Sequence, residues 1–303
     1  MIVSSGVRCK ACGIDARFLC ETPNEHSATS VLHHYSCPNC GLVFVGDYMS
    51  DEELQEAYAG LDFAAYYREV ETETRRKMQK SIADLERLLD RQQKIIEIGT
   101  GNGMFIRMLH EQGFANVYGH EIPGIDLQEL EQLGCTIYYD FDYTTVPAET
   151  FDAVTLLDVA EHVRAPAYLF QACHRILKPG GIIYLHTPVV SRLDQVFHFI
   201  FRRLPPLHML ARTWQRSRTS VFHLQNYTRD ALTRLLREAG FHDIDIRLEN
   251  ELSWPVQRYV RIYICEKVGL PVALAPILTP FFYPLLKSSF FNANKAIASA
   301  RKQ

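Results

Sequence analysis

Apolar positions along this chain recur with two alternating periods. Residues 94–98 form a short run, Lys-Ile-Ile-Glu-Ile, that reads as a buried strand closed by glycines at 99, 101 and 103. The next stretch, 104–112, spaces its apolar side chains like one face of a helix and stops at Gly113. The exchange repeats downstream. Strands are predicted over 117–121, 136–139 and 151–157, with helices over 127–133 and 167–177, the latter with Pro166 near its start. Lys178, Pro179, Gly180 and Gly181 supply a stop before a strand over 182–186. A helix over 230–239, closed by Gly240, and strands over 243–248 and 296–300 complete the series. Alternation of this kind predicts an α/β fold, a parallel sheet with helices on both faces.

Upstream, Ile82, Leu85, Leu88 and Leu89 share one face of a helical pattern that begins near Glu69. Before residue 46 there is no helical period, only Cys, His and small polar residues. The organisation expected is therefore a small module over 1–46, a helical connector with a capping helix over 47–90, and the α/β domain over 91–303. A lid-like insert at about 191–228 and an apolar insert at about 252–290 interrupt that domain.

Composition narrows the class. The chain has 303 residues, 47% of them apolar, enough for a large core without disulfides. Its formal net charge of -3 argues against a general nucleic-acid binder, which is normally strongly basic. Arg8 and Cys9 interrupt the start before any apolar run develops, so no secretory signal is expected there. Eight cysteines, four of them in two close pairs, fit a reduced, cytoplasmic metal binder better than an exported disulfide protein.

The first candidate site is Glu97, Ile98, Gly99, Thr100, Gly101, Asn102, Gly103, set between a strand and a helix. Glycines there let the backbone approach a ligand closely. Dinucleotide-binding domains use a related turn, but here the third glycine comes one residue early and Met104 stands in its place. Glu97 also puts a carboxylate where a cationic ligand end suits better than a pyrophosphate. Both details favour S-adenosylmethionine. Glu121 closes the next strand, where an acid can accept from both ribose hydroxyls. Asp140 follows the third strand and could accept from the adenine amino group, with the Phe141 amide on a ring nitrogen; Asp142 could play the same part.

The strongest local signal lies elsewhere. Cys9, Lys10, Ala11, Cys12, Gly13 and Cys37, Pro38, Asn39, Cys40, Gly41 are two copies of one knuckle. Two residues between cysteines turn both thiolates toward one metal, and two such knuckles complete a tetrahedral, structural zinc site. Cys20, His33 and His34 are left out of it.

Taken together, 97–103, Glu121, the stretch from Phe151 through Glu161, His162 and Val163, and 175–181 resemble the class I S-adenosylmethionine-dependent methyltransferases over roughly residues 65–250. The resemblance implies a Rossmann-like seven-stranded sheet with its last strand antiparallel, and methyl transfer to a nucleophilic atom. It places Glu97, Gly99, Thr100, Gly101, Gly103, Glu121, Asp140, Phe141 and Asp158 around the cofactor. Ile122, Pro123 and Gly124 depart from the pattern, since a helix usually starts sooner there. The N-terminal stretch, continuing into 41–44 and Tyr66 and Tyr67, is similar to a zinc-ribbon segment fused to bacterial methyltransferases associated with sugars, cell-surface glycans and secondary metabolites. Such ribbons help shape the substrate side.

For the acceptor, His162 follows the fourth strand and is a candidate general base. Asp158, Glu161 and His162 could share one helical face, and a similar acid-x-x-acid-His arrangement binds a divalent metal in some quinone O-methyltransferases. Between Gln195 and Arg229 there is no acidic residue, while Arg202, Arg203, Arg212, Arg216 and Arg218 cluster with His198, His208 and His223. That stretch reads as a solvated basic surface or as a lid for an anionic group. Residues 268–286 are long enough to cross a bilayer, but Pro271, Pro276, Pro280 and Pro284 would break such a helix. A packed insert, with peripheral membrane or lipid contact as an option, is expected instead. The functional expectation is methylation of a small hydroxyl-bearing metabolite, a sugar or glycan precursor first. An RNA substrate held by the ribbon and a quinone-type acceptor are the alternatives.

Overall fold

A computed structural model of the chain describes residues 6–23, 31–46, 63–204, 207–219, 222–252, 254–266 and 269–303. The first part of the expected connector, 47–62, and the side chains of Tyr66 and Tyr67 lie outside the described residues.

The α/β domain opens with helix α1 (Phe63–Leu88), whose Ile82 and Leu85 face inward. Strand β4 (Lys94–Ile98), helix α2 (Met104–Glu111), strand β5 (Asn116–Glu121), helix α3 (Gln128–Gln132) and strand β6 (Ile137–Tyr139) follow. Then come β7 (Phe151–Leu157), α4 (Pro166–Ile176), β8 (Leu177–Pro188), α7 (Arg229–Glu238), β10 (Phe241–Glu249) and β11 (Lys295–Lys302). The seven-stranded sheet has the order β10-β11-β8-β7-β4-β5-β6. Pairs β4–β5, β4–β7, β5–β6 and β7–β8 are parallel, and β11 runs antiparallel to both neighbours. One boundary differs from expectation. Helix α4 ends before residues 178–181 as expected, but these residues already belong to β8, which runs from Leu177 with a register shift opposite Phe151 and Ala153. Gly180 absorbs the bend at φ 77°.

Successive strand residues point to opposite faces, and the core divides accordingly. Ile95, Ala153 and Ile182 pack on one face against Phe105, Leu109 and Leu85. Ile96, Val154 and Ile183 pack on the other against Leu169, Phe170 and Leu232. Truncating any one of these fully buried aliphatics costs about 2–5 kcal/mol. Both faces are filled, so ligands are confined to the carboxyl edge of the strands, where the chain reverses at β4 and β7.

A second sheet has the order β1-β2-β3-β9, from β1 (Arg17–Pro23), β2 (Val31–Ser36), β3 (Val43–Val45) and β9 (Gln225–Asn226). Its first three strands belong to the N-terminal module, and β9 comes from the end of the 191–228 insert. That insert also contributes α5 (Arg192–Arg203) and α6 (His208–Arg216). Ser191 caps α5 in a reciprocal box with Asp194. Within 252–290, α8 (Val256–Tyr259) continues into a π-helical segment over Val260–Glu266, and a 3-10 turn over Val272–Leu274 precedes α9 (Ala275–Lys287). Here helix persists where prolines were expected to break it. Pro276, Pro280 and Pro284 recur every four residues on the outward side, so the missing N–H groups fall on one solvent-facing stripe.

Candidate active site

The carboxyl edge of β4 carries the glycine turn. Gly99, Gly101 and Gly103 all have left-handed backbones, with φ of 73°, 58° and 75°. A Cβ on Gly99 would lie 2.5 Å from Val159 Cγ2, and one on Gly103 would lie 2.6 Å from Leu130 Cδ1. Glycine is therefore required by both conformation and space. The Gly99 and Thr100 amides donate to the His120 carbonyl, which locks the turn to β5. Thr100 is buried with its hydroxyl directed at the carbonyls of Glu97 and His120.

Two carboxylates meet beneath this turn. Glu121 accepts from the Gly101 amide at 2.7 Å and from its neighbour Ile122 at 2.8 Å. Burial raises its pKa, and the two amide bonds pull it back. Glu97 is 2% exposed, and its Oε2 has no hydrogen-bond partner. Burial first, and the nearby Glu121 second, push its pKa well above the usual carboxylate range. An orphaned carboxylate oxygen beside a second acid is costly unless a cation or donor completes it. The ammonium and ribose of S-adenosylmethionine are groups of the right kind, and the cradle fits that ligand by its donor set.

Asp140 sits past β6 and is committed internally. It bonds His120 Nε2 at 2.8 Å and accepts from the amide and hydroxyl of Thr145 at 2.6 Å. Burial opposes its ionisation, but Thr145 and His120 prevail and hold the pKa at about 2. It thus shapes the 140–145 loop, on which Phe141 is half exposed. Asp142 accepts from Thr144 in the same loop. A shallow cleft lined by Gly124, Asp126, Leu127, Glu131 and Tyr139 opens beside β5 and β6, where Ile122, Pro123 and Gly124 replace an early helix.

Asp158 lies just beyond β7 with φ 56°, a conformation rare for a non-glycine residue. Its carboxylate is paired with Lys295 at the start of β11 and stands 3.7 Å from His186 Nδ1. Burial would raise its pKa, yet Lys295 and His186 hold it down. His186 Nε2 lies 3.2 Å from Glu251, which in turn pairs with Lys77 of α1 at 2.8 Å. This chain of polar contacts links the ends of β7, β8, β10 and β11 to the capping helix. Sequence reasoning missed Lys295, His186, Glu251 and Lys77, because pairing between residues so far apart leaves no local spacing to read.

Glu161 is fully buried and accepts from Thr187 at 2.9 Å; burial and the adjacent Asp158 raise it to about 8. His162 next to it is lowered to about 4 by burial, so the imidazole is neutral, and its ring meets that of His223 edge-on at 4.6 Å. Donor atoms of Glu161, His162 and His223 lie within 4.8 Å of one another. His223 comes from the insert. The insert is in turn held by buried Gln225, which donates to the Ala160 and Val163 carbonyls at 2.9 and 2.8 Å.

The four predicted cysteines do converge. Cys9 and Cys40 sulfurs are 3.6 Å apart, Cys12 and Cys37 3.4 Å, and all four lie within 4.8 Å. A disulfide would need about 2.05 Å, whereas four sulfurs at zinc bond length would be about 3.8 Å apart. Gly13 and Gly41 close the two knuckles at φ 69° and 73°, donating to Cys9 and Cys37 carbonyls. Cys20, His33 and His34 stay outside the cluster. His34 is buried between the hydroxyls of Thr22 and Thr219, and Cys20 packs with Phe201 and Ala211. Arginines of the insert are partly consumed in internal bonds. Arg218 pairs with Asp194 at 3.0 Å, and Arg202 donates to Ser36 of the ribbon at 2.7 Å.

Comparison with known proteins places this architecture. Residues 70–246 match a family model described as Methyltransferase domain. Curated relatives include a ubiquinone biosynthesis O-methyltransferase of Pseudomonas aeruginosa, 36% identical over 115 residues, 35% of this chain and 48% of the relative. The enzyme of that name from Colwellia psychrerythraea is 33% identical over 102 residues, 31% and 41% of the two chains. The chain thus spans about half the length of the curated relatives it matches. Among solved structures, the complex of the Haloferax volcanii Trm112 methyltransferase activator with a methyltransferase aligns at a TM-score of 0.53 with 15% identity. It covers 80% of this chain and 98% of that one, a likeness of fold. With the seven-stranded sheet, the glycine turn and a family match over more than half its length, the chain belongs to the class I S-adenosylmethionine-dependent methyltransferases.

Proposed function

We propose that this protein transfers a methyl group from S-adenosylmethionine to the hydroxyl of a small molecule, and that the four-cysteine cluster holds a structural zinc ion. The observation that carries the first part is the cradle at the β4 edge, where a buried, unpartnered Glu97 oxygen and Glu121 flank a turn whose Gly99 and Gly103 leave no room for a Cβ. When bound, the sulfonium supplies an electrophilic methyl carbon. The protein's own contribution is alignment, worth a large part of the barrier when the acceptor oxygen sits in line behind that carbon. Glu97 would hold the ammonium and Glu121 the ribose, with the 140–145 loop, including Phe141, against the adenine.

The acceptor proton would pass to His162. A base lowered to about 4 is weak; by Brønsted reasoning it suits an acceptor whose hydroxyl is already acidic. A phenol, with a pKa near 10 like that of tyrosine, meets this better than a sugar hydroxyl. The names of the curated relatives support the same choice, so the quinone-type acceptor is favoured over the sugar expected from the ribbon. An RNA acceptor loses support, because Arg202 and Arg218 are tied up internally.

Calorimetric titration of the full chain with S-adenosylmethionine tests the cofactor site. Glu121→Ala should weaken binding about tenfold or more with an unchanged circular dichroism spectrum. Equal affinity would show the pocket to be misplaced. Methyl-labelled cofactor offered with catechols, phenols, sugar nucleotides and RNA should label the phenolic class; label confined to sugars or RNA would overturn the acceptor assignment.

A further inference from the structure

Helix α9 carries two apolar faces, and only one of them is buried. Ala275, Leu278, Phe282 and Leu286 point into a cluster with Val256, Val260 and Trp214. On the opposite side Ile277, Pro280, Phe281 and Pro284 form a second stripe at spacing i, i+3, i+4, i+7. Ile277 is 63% and Phe281 72% exposed. Residues 268–286 contain no charged side chain, so this surface lacks the charge that a solvent-facing helix normally carries.

Helix α5 presents a related face. Arg192, Val196, Phe199 and Arg203 follow each other at i, i+4, i+7 and i+11, all exposed. The two elements meet where the Arg192 guanidinium lies 3.9 Å over the ring of exposed Phe290, while Lys287 ends α9. Along the chain there is no Asp or Glu between Gln195 and Arg229, nor from 267 to 303. An apolar stripe with Arg192, Arg203 and Lys287 beside it is complementary to lipid tails beneath anionic headgroups.

We infer that the outward faces of α9 and α5 dock this protein onto the surface of an anionic phospholipid membrane. The 13 residues of α9 span about 20 Å, short of the roughly 30 Å hydrocarbon core, so the helix lies in the interface and does not cross it. A face shared between two copies of the chain fits less well. Interface cores are depleted of Lys, and Lys287 closes the apolar stripe at the end of α9. The cofactor cradle plays no part in this inference.

Co-sedimentation of the full chain with vesicles tests it. Binding should be strong on phosphatidylcholine vesicles containing phosphatidylglycerol, weak on phosphatidylcholine alone, and reduced by added salt. The Ile277→Ser/Phe281→Ser variant should bind at least about tenfold more weakly, and Arg192→Glu/Lys287→Gln should lose the preference for phosphatidylglycerol. All four side chains are exposed, and circular dichroism and S-adenosylmethionine titration report that both variants stay folded. Equal binding to both vesicle types, no binding to either, or a wild-type dimer in sedimentation velocity that the apolar variant abolishes would each overturn the inference.

Discussion

Single residues carry the electrostatics of this molecule, and their effects can be separated. Burial works against the charge of Lys295, but Asp158, Glu161 and Glu251 around it prevail and raise its pKa. Lys295→Met would leave Asp158 without its main cation. Loss of one partner of a buried pair costs about 3–5 kcal/mol, but the Asp158 side chain is 42% exposed, so solvent screening brings the expectation to about 1–3 kcal/mol. Urea unfolding should show that loss, and adding Asp158→Asn should restore part of it. A second single-residue effect concerns acid. Asp140 is lowered to about 2 in the folded chain, against about 3.9 when unfolded. A lowered carboxyl stabilises above its unfolded value and loses that contribution as pH falls through the folded one. Wild type should therefore lose about 2 kcal/mol more than Asp140→Asn between pH 4 and pH 2. Parallel curves for the two proteins would show that the Thr145 and His120 bonds do not matter in solution.

At the scale of elements, the ribbon and the insert are joined. Strand β9 pairs with β3, Thr228 donates to the Cys40 carbonyl, and His34 bridges Thr22 to Thr219. The Thr219 end continues through Gln215 to His198 in α5. Loosening the cysteine cluster should thus be felt by the insert that bears His223, and not by the glycine turn. Cys37→Ser is expected to lose bound zinc by elemental analysis and to expose the insert to limited proteolysis, while keeping its S-adenosylmethionine affinity. Loss of cofactor affinity in this variant would mean that the two regions are coupled more widely than these contacts imply. Most elements were readable from periodicity, and β4 and β7 were placed residue for residue. The prolines were expected to break a helix long enough to cross a bilayer, and no helix among the described residues is long and apolar enough to do so, yet α9 persists through three of them. Spaced by four, they sacrifice bonds on one face where water or lipid borders the helix.

Across the whole molecule, local order and long-range pairing contribute differently. The order of strands and helices, the glycine turn with Glu97 and Glu121, and the two cysteine knuckles are properties of short segments. Periodicity, left-handed backbone and ligand spacing act within a few residues, so the sequence alone determined them. The insertion of β11 between β8 and β10, the chain from Lys77 through Glu251, His186 and Asp158 to Lys295, and the approach of His223 to His162 join residues far apart in the chain. So does the choice of which face of α9 is buried, since both are apolar and the neighbouring α8, Val260, Cys265 and Trp214 distinguish them. Those features depend on which surfaces exclude water together, and that is settled only when the chain has folded.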